Sequence, residues 1–277
     1  MVCRARGVIE VLKTRVYTAL VLLGLLMGIL WGPAVIGQWA LGIVLVVGAW
    51  EWAAFAGLRA LITRGAFVGV TLILGYMTLE GMGRGSVYPL MLLAAAWWVI
   101  AAIRIIWVND RVSPGMTLVA GWLTLLPAVA AVVQMYSGSL RLDGHWRLLT
   151  LLLLVASADI GAYFSGRRFG RTKLAPEVSP GKTWEGVAGG AAVVALVAAF
   201  LVWGMEMFPP RYLAVALAVF AASVVGDLSE SLFKRSAGLK DSGVILPGHG
   251  GILDRIDSIT AAAPIYVLGL HWIGQLP

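Results

Sequence analysis

The chain has 277 residues, of which 60% are hydrophobic and only 13% are charged, and its mean hydropathy is +0.89. Soluble domains are nearer half apolar and a quarter charged, and disordered chains combine low hydrophobicity with high net charge, so both classes are excluded. Apolar runs of about twenty residues exclude a transmembrane β-barrel, whose strands are short and alternating. The composition predicts an all-α, polytopic membrane protein.

Apolar runs separated by glycine, proline and charged residues predict about nine membrane-spanning helices. In chain order they cover 14–31, 33–57, 65–81, 86–108, 115–137, 146–165, 186–208, 211–233 and 257–275. Two polar loops, 166–185 and 234–256, interrupt the second half of the chain. We therefore expect an N-terminal membrane region, 1–145, with five spans, and a C-terminal catalytic membrane region, 146–277, with four spans and both loops.

The basic residues predict the orientation of these spans. If the N-terminus is cytoplasmic, 17 of the 21 Lys and Arg residues lie on the cytoplasmic side and 4 lie outside. Cytoplasmic loops of membrane proteins carry an excess of Lys and Arg, so the partition favours a cytoplasmic N-terminus with both polar loops inside. The single cysteine, Cys3, excludes an intramolecular disulfide.

Two aspartates lie inside predicted spans, where a charged group is costly and marks a functional site. Asp159 and Asp227 are each about six residues from a cytoplasmic span end, about 9 Å deep at the rise of an α-helix. Asp254 and Asp257, three residues apart, share one face at the start of the last span. Carboxylates this close repel unless a cation holds them, and oxygen ligands suit Mg²⁺ better than zinc. Because such a cluster is self-repelling, Asp254→Asn should change the melting temperature little.

Other ionisable residues have simpler interpretations. Glu51 lies near the cytoplasmic end of the second predicted span between two tryptophans, where an interfacial position explains it. Glu80 and Glu206 fall at the outer ends of spans, and His145 and His271 lie on the outer face without partners at metal-ligand spacing. We interpret these five residues as structural.

The first polar loop has phosphate-binding character. Residues 176–186 read PEVSPGKTWEG, in which Gly-Lys-Thr matches the end of a P-loop. That motif needs an earlier glycine between a strand and a helix, whereas position 176 is proline and no strand is expected before it. We therefore reject a P-loop. The loop still presents Ser179, Lys182 and Thr183 ahead of a helix N-terminus, which favours phosphate binding.

The second polar loop contains a glycine-rich turn, in which Gly248, Gly250 and Gly251 surround His249. Glycine lets backbone amides approach an anion closely, so the turn is a candidate phosphate site. A plain turn is the alternative interpretation. Basic residues, glycine turns and clustered acids on one membrane face together favour the functional interpretation.

Residues 231–257, SLFKRSAGLKDSGVILPGHGGILDRID, resemble the signature of phosphatidate cytidylyltransferases, also called CDP-diacylglycerol synthases. The signature runs Ser-x-apolar-Lys-Arg, four residues, Lys-Asp, then Pro-x-His-Gly-Gly-apolar-x-Asp-Arg-apolar-Asp, and every fixed position is met. Residues 157–186 are similar to the other polar loop of this family. The two segments together make the resemblance highly specific.

The resemblance implies transfer of a cytidylyl group from CTP to phosphatidic acid, giving CDP-diacylglycerol and pyrophosphate for phospholipid biosynthesis. The lipid phosphate would attack the α-phosphorus of CTP in line. The implied catalytic residues are Asp227, Lys234, Arg235, Lys240, Asp241, His249, Asp254, Arg255 and Asp257. The implied phosphate-binding residues are Ser179, Lys182, Thr183, Gly248, Gly250 and Gly251.

The resemblance also implies Mg²⁺ on Asp227, Asp254 and Asp257, with Asp159 as a further candidate ligand and a potassium ion in the same acidic cluster. It implies a homodimer in a bacterial inner membrane whose active site faces the cytoplasm. The expected partners are the two substrates and the lipid bilayer, and nucleic acid is not among them.

Two other functions remain open at this point. CTP-dependent polyprenol and phytol kinases share a similar Gly-His-Gly-Gly region, although the Lys-Arg and Lys-Asp pairs and the Ser-Pro-x-Lys-Thr loop disfavour them. A cation-coupled transporter could use the same acids, but it should show midplane sites and helices broken in mid-span, whereas this acidic cluster lies near one face.

Overall fold

The computed structural model describes residues 24–276 except 25, 29, 85–86, 108–111, 137–140 and 247–249. Its helices are α1 (Ala34–Phe55), α2 (Leu61–Arg84), α3 (Tyr88–Trp107), α4 (Pro114–Tyr136), α5 (Arg141–Phe169), α6 (Trp184–Ala199), α7 (Tyr212–Ser236) and α8 (Leu253–Trp272). Helix α6 continues into a π-helical turn, Phe200–Gly204. The first predicted span, 14–31, lies mostly outside the described residues.

Within the described part of the chain, seven helices, α1 to α7, are long and apolar enough to cross a membrane. They confirm the helical, polytopic architecture, and the chain is an integral membrane protein. Helix α8 is not among the seven, because Asp254, Arg255 and Asp257 at its start and His271 in its last turn lower its mean hydropathy. The count of nine spans therefore stays a prediction.

The first polar loop is more ordered than its sequence suggests. Helix α5 continues to Phe169, and two short antiparallel strands follow, β1 (Lys173–Ala175) and β2 (Ser179–Thr183). Lys173 lies opposite Thr183, and Ala175 lies opposite Ser179. The expectation that no strand precedes the Gly-Lys-Thr segment is therefore wrong. The strands form a hairpin rather than a strand–loop–helix unit, so the rejection of a P-loop stands.

The hairpin leads directly into helix α6. Thr183 ends strand β2 and is the N-cap of the helix, where its Oγ1 accepts a hydrogen bond from the amide of Gly186 at 3.2 Å. A threonine hydroxyl at this position satisfies one of the free amides of a helix N-terminus. The cap sets the direction in which the hairpin meets the helical bundle.

Close packing of α5 on α6 and of α7 on α8 dominates the second half of the chain. Helix α5 contacts the backbone of α6 at Gly161, where a Cβ atom would lie 2.8 Å from the carbonyl oxygen of Gly189. Small residues at such crossings allow close approach of helices in lipid. In the core between α5, α7 and α8, the Tyr266 hydroxyl lies 2.6 Å from Oγ1 of Thr150 and 3.3 Å from the Tyr212 hydroxyl. These partners satisfy polar atoms that are buried among apolar side chains.

Candidate active site

The first polar segment and helix α7, which leads into the second, line a cavity of about 450 Å³. Helix α5 contributes Asp159, strand β2 contributes Lys182, and helix α7 contributes Asp227. The other polar groups that line it are Tyr163, Arg167, Thr183, Ser223 and Ser258. The structure therefore brings together four of the residues that the sequence singles out, namely both deep aspartates and two residues of the Gly-Lys-Thr segment.

An ion pair connects the hairpin to helix α7 in this cavity. Nζ of Lys182 lies 2.5 Å from Oδ2 of Asp227, and both side chains are about a quarter exposed, at 26% and 30%. The same ammonium group also attracts the carboxylates of Asp159 and Asp257. One lysine thus provides positive charge for three acids that come from three different helices.

Asp227 and Asp257 are neighbours because α7 and α8 touch at a glycine. A Cβ atom on Gly226 would lie 2.6 Å from the carbonyl oxygen of Asp257 and 2.9 Å from Cβ of Ala261, so a larger residue would push the helices apart. Oδ1 of Asp257 accepts a hydrogen bond from the amide of Ser258 at 2.7 Å. The two aspartates repel each other, which favours a cation between them.

A second charged cluster lies where α7 meets the start of α8. Nζ of Lys234 lies 3.1 Å from Oε1 of Glu230 and 2.6 Å from Oδ1 of Asp254, and all three side chains are largely buried. The other oxygen of Asp254, Oδ2, accepts hydrogen bonds from the amides of Ser242 and Gly251, each at 2.9 Å, and from Oγ of Ser242 at 3.0 Å. Asp254 therefore fastens the second polar loop to helix α8.

These contacts correct the expectation that Asp254→Asn leaves stability unchanged. Asp254 is paired with an ammonium group and accepts three further hydrogen bonds. Asparagine would leave the charge of Lys234 less compensated and would present an amide donor to other donors. Removing one partner from a buried ion pair is strongly destabilising, so Asp254→Asn should lower the melting temperature.

Several predicted phosphate ligands already have partners within the protein. The ammonium of Lys234 contacts two carboxylates, the amide of Gly251 donates to Asp254, and the hydroxyl of Thr183 caps α6. Phosphate binding by these groups would require an exchange of partners. Their roles as ligands stay predictions.

The remaining predicted site residues lie around these clusters. The exposed residues among them are Arg235, Lys240, Asp241 and Arg255. Ser179 and Gly250 are partly exposed, and Gly248 and His249 lie outside the described residues. Gly250 has a φ of +80°, a conformation that favours glycine. Of the exposed cations, Arg235 lies in the last turn of α7, Lys240 follows that helix and Arg255 lies in the first turn of α8, on the side of the bundle that carries both polar segments.

The residues present fit a hard cation only in part. Throughout the described ranges, no group of three or more His, Cys, Asp or Glu side chains is arranged as a formed metal site. Asp227 contacts the ammonium of Lys182, Asp159 and Asp257 lie within range of its charge, and carboxylate oxygens of this kind suit Mg²⁺. Both oxygens of Asp254 are hydrogen-bonded within the protein, so its assignment as a ligand stays a prediction.

Glu51 is a residue that the sequence interpretation misplaced. Its side chain is buried, with 2% of the residue exposed, and it accepts hydrogen bonds from the second polar loop and the start of α8. The interfacial interpretation is therefore wrong. Its partners are 191 to 202 residues further along the chain, so no local spacing reveals them. The one available signal was an acid within an apolar run.

Comparison with known proteins places the whole chain in one family. A family model described as the cytidylyltransferase family matches residues 13–273. A phosphatidate cytidylyltransferase of Haemophilus influenzae is 40% identical, over 92% of this chain and 97% of its own length. One of Pseudomonas aeruginosa is 41% identical over 94% and 97%, and one of Brucella suis is 39% identical over 62% and 71%. The chain therefore belongs to the phosphatidate cytidylyltransferase family of nucleotidyltransferases.

Proposed function

We propose that this protein transfers the cytidylyl group of CTP to phosphatidic acid, producing CDP-diacylglycerol and pyrophosphate. The observation that carries the proposal is a polar cavity in which the first signature segment meets helix α7, which leads into the second, through the ion pair of Lys182 and Asp227. Membership of the family supports the same reaction. A site built from two distant segments can hold two substrates against each other.

The proposed reaction depends on positioning of the substrates and neutralisation of their phosphate charges more than on a general base. A phosphate oxygen of the lipid is already nucleophilic near neutral pH, and it would attack the α-phosphorus of CTP in line as pyrophosphate leaves. Lys182, on the cavity wall, can donate to phosphate oxygens, and the exposed side chains of Arg235, Lys240 and Arg255 add positive charge on the same side of the bundle. Preorganised charges of this kind stabilise the transition state.

The acidic residues would hold the metal. Asp227 and Asp257, with Asp159 or Asp254 beside them, would bind Mg²⁺, which when bound neutralises charge on the triphosphate. A potassium ion in the same cluster is part of the proposal. The carboxylates come from α5, α7 and α8, so the helices set their separation before any substrate arrives.

A second cavity supports a lipid substrate. It has a volume of about 750 Å³ and lies between α3, the hairpin, α6 and α7. Its lining is mostly apolar, with Ile105, Leu228 and Leu232 among the residues, and Arg235 also lines it. Val187, Phe220 and Val224 line both this cavity and the polar one. Acyl chains in the apolar cavity would therefore place a lipid phosphate near Lys182.

The proposed orientation has a cytoplasmic N-terminus and both polar segments inside, in a bacterial inner membrane. The 17-to-4 partition of Lys and Arg supports it, as does the placement of the exposed cations on the side of the polar cavity. A homodimer is also expected from the family resemblance.

The proposed reaction predicts which atoms of CTP reach the lipid. Purified protein in detergent with phosphatidic acid and Mg²⁺ should transfer label from [α-³²P]CTP into lipid and should leave label from [γ-³²P]CTP in pyrophosphate. With a polyprenol added to the same reaction, lipid labelled only by [γ-³²P]CTP, with release of CDP, would identify a kinase instead. Absence of label in lipid from either nucleotide in the presence of both lipids would contradict both enzymes.

Asp257 should be required for turnover but not for folding. Asp257→Asn keeps the shape of the side chain, and losing one preorganised electrostatic partner costs about 2.7–4 kcal/mol, so turnover should fall at least ~10²-fold. The melting temperature should stay near that of the parent protein, because Oδ1 of Asp257 accepts from the adjacent amide of Ser258, a local contact that asparagine can keep. CDP-diacylglycerol formation across a Mg²⁺ titration measures the effect.

Glu206→Gln is the matched control, because Glu206 is exposed and lies between α6 and α7, at the end of the bundle away from the polar cavity. This variant should keep full turnover. If Asp257→Asn retains parental turnover with the same Mg²⁺ dependence, Asp257 is not a metal ligand.

Single cysteines should report the orientation. In a Cys3→Ser background, Val244→Cys should react with an impermeant maleimide only in inside-out vesicles, and Arg211→Cys should react only in right-side-out vesicles. Both parent residues are exposed and lie at opposite ends of α7 and its following loop. Reaction of position 244 from the outside would overturn the proposed topology.

A further inference from the structure

Glu51 connects helix α1 to the second signature segment. Its Oε2 accepts hydrogen bonds from Oγ of Ser242 and from the amide of Leu253, each at 2.9 Å. Its Oε1 accepts from the amide of Ile252 at 3.1 Å. A single carboxylate of the N-terminal region thus holds both ends of the polar loop that runs from Ser242 to the start of α8.

The position of Glu51 is set by neighbours that do not depend on it. Nε1 of the adjacent Trp52 donates to the carbonyl oxygen of Thr117 on α4 at 2.7 Å. The Trp52 ring also packs on Phe233 of α7, with ring centroids 5.1 Å apart. Trp52 is itself buried, so it docks the end of α1 against α4 and α7. A change confined to the carboxylate of Glu51 leaves these contacts in place.

The amides at the start of α8 explain why a carboxylate is suited to this position. The first amides of a helix have no partner within the helix, and they carry partial positive charge. Glu51 accepts from two of them, at Ile252 and Leu253, while Asp254 accepts from Gly251. The start of the helix is therefore held by one acid of its own and by one acid from α1.

Glu51 and Asp254 share a hydroxyl group. Oγ of Ser242 lies 2.9 Å from Glu51 Oε2 and 3.0 Å from Asp254 Oδ2, and Asp254 also contacts Lys234. The chain of contacts runs from α1 through the loop to the buried lysine of α7. A shift of Glu51 would pass to Asp254 and Lys234, which are charged groups of the signature.

We propose that Glu51 is a positioning residue, which fixes Ser242 and the start of α8 so that the charged groups of the signature meet the substrates in one geometry. The effect on turnover rests on the proposed function, but the effect on the loop does not. Misplacing reacting groups by about 1 Å can cost ~10²-fold in rate. We therefore expect Glu51→Gln, which removes the charge and one acceptor, to lower kcat about 10- to 100-fold, with a smaller change in KM for CTP.

The test combines kinetics with the mobility of the loop. In a Cys3→Ser background, a nitroxide label on Val244→Cys reports the loop, since Val244 is 92% exposed and the label need not displace packed atoms. A label on Arg211→Cys reports the opposite end of α7. Glu51→Gln should increase the mobility of the label at 244 and leave the label at 211 unchanged. Glu80→Gln, an exposed acid on α2, is the matched control and should change neither label nor kcat.

Unchanged kcat and unchanged mobility at 244 in folded Glu51→Gln would overturn the proposal, and so would equal loosening at both labels. If Glu51→Gln fails to fold, Ser242→Ala takes its place, because it removes the shared hydroxyl and keeps both amide contacts of Glu51. That variant should also loosen the label at 244, and no change there would refute the inference. If the parent protein makes no CDP-diacylglycerol, the proposed function fails, while the label comparison still decides the role of Glu51.

Discussion

Charged groups within a bundle of apolar helices are stable only when they are paired or hydrogen-bonded, and in the described part of this chain two lysines form ion pairs with three acids. Lys182 pairs with Asp227 at the wall of the polar cavity, and Lys234 lies between Glu230 and Asp254. Breaking a buried pair by removing one partner costs about 3–5 kcal/mol, because a charge is left without compensation. The second cluster, which is the more buried of the two, is therefore part of the fold as well as of the signature.

Ion pairs and hydrogen bonds of these charged residues connect segments that are distant in the sequence. The hairpin 173–183 reaches α7 through Lys182, and α1 reaches the start of α8 through Glu51. The result is a polar cavity next to an apolar one, with shared walls at Val187, Phe220 and Val224. An enzyme that joins a water-soluble nucleotide to a membrane lipid needs such a boundary. The charged nucleotide and the lipid phosphate are stable in the polar cavity, whereas the acyl chains are stable in the apolar one.

Sequence analysis could predict the helices and the deep aspartates, because apolar run length and depth within a run are local properties. Asp159 and Asp227 were singled out in this way, Lys182 was singled out by its place in the polar loop, and all three line one cavity. The hairpin was missed because its strands are short, Pro176 follows β1, and Pro180 lies within β2. Glu51 was misinterpreted, since its partners are about two hundred residues away, and the stabilising role of Asp254 depends on a lysine 20 residues earlier. Such pairings follow from tertiary structure and cannot be read from spacing.

The central claim is that Lys182 of the first signature segment and Asp227, just before the second, act as one site. A double-mutant cycle on the rate of CDP-diacylglycerol formation tests it most directly, with Lys182→Met, Asp227→Asn and the double variant compared under saturating CTP and Mg²⁺. Residues in contact show non-additive effects, whereas distant and independent residues add. The account predicts that the double variant is about as slow as the slower single variant. Rate losses that multiply across the two substitutions would contradict it.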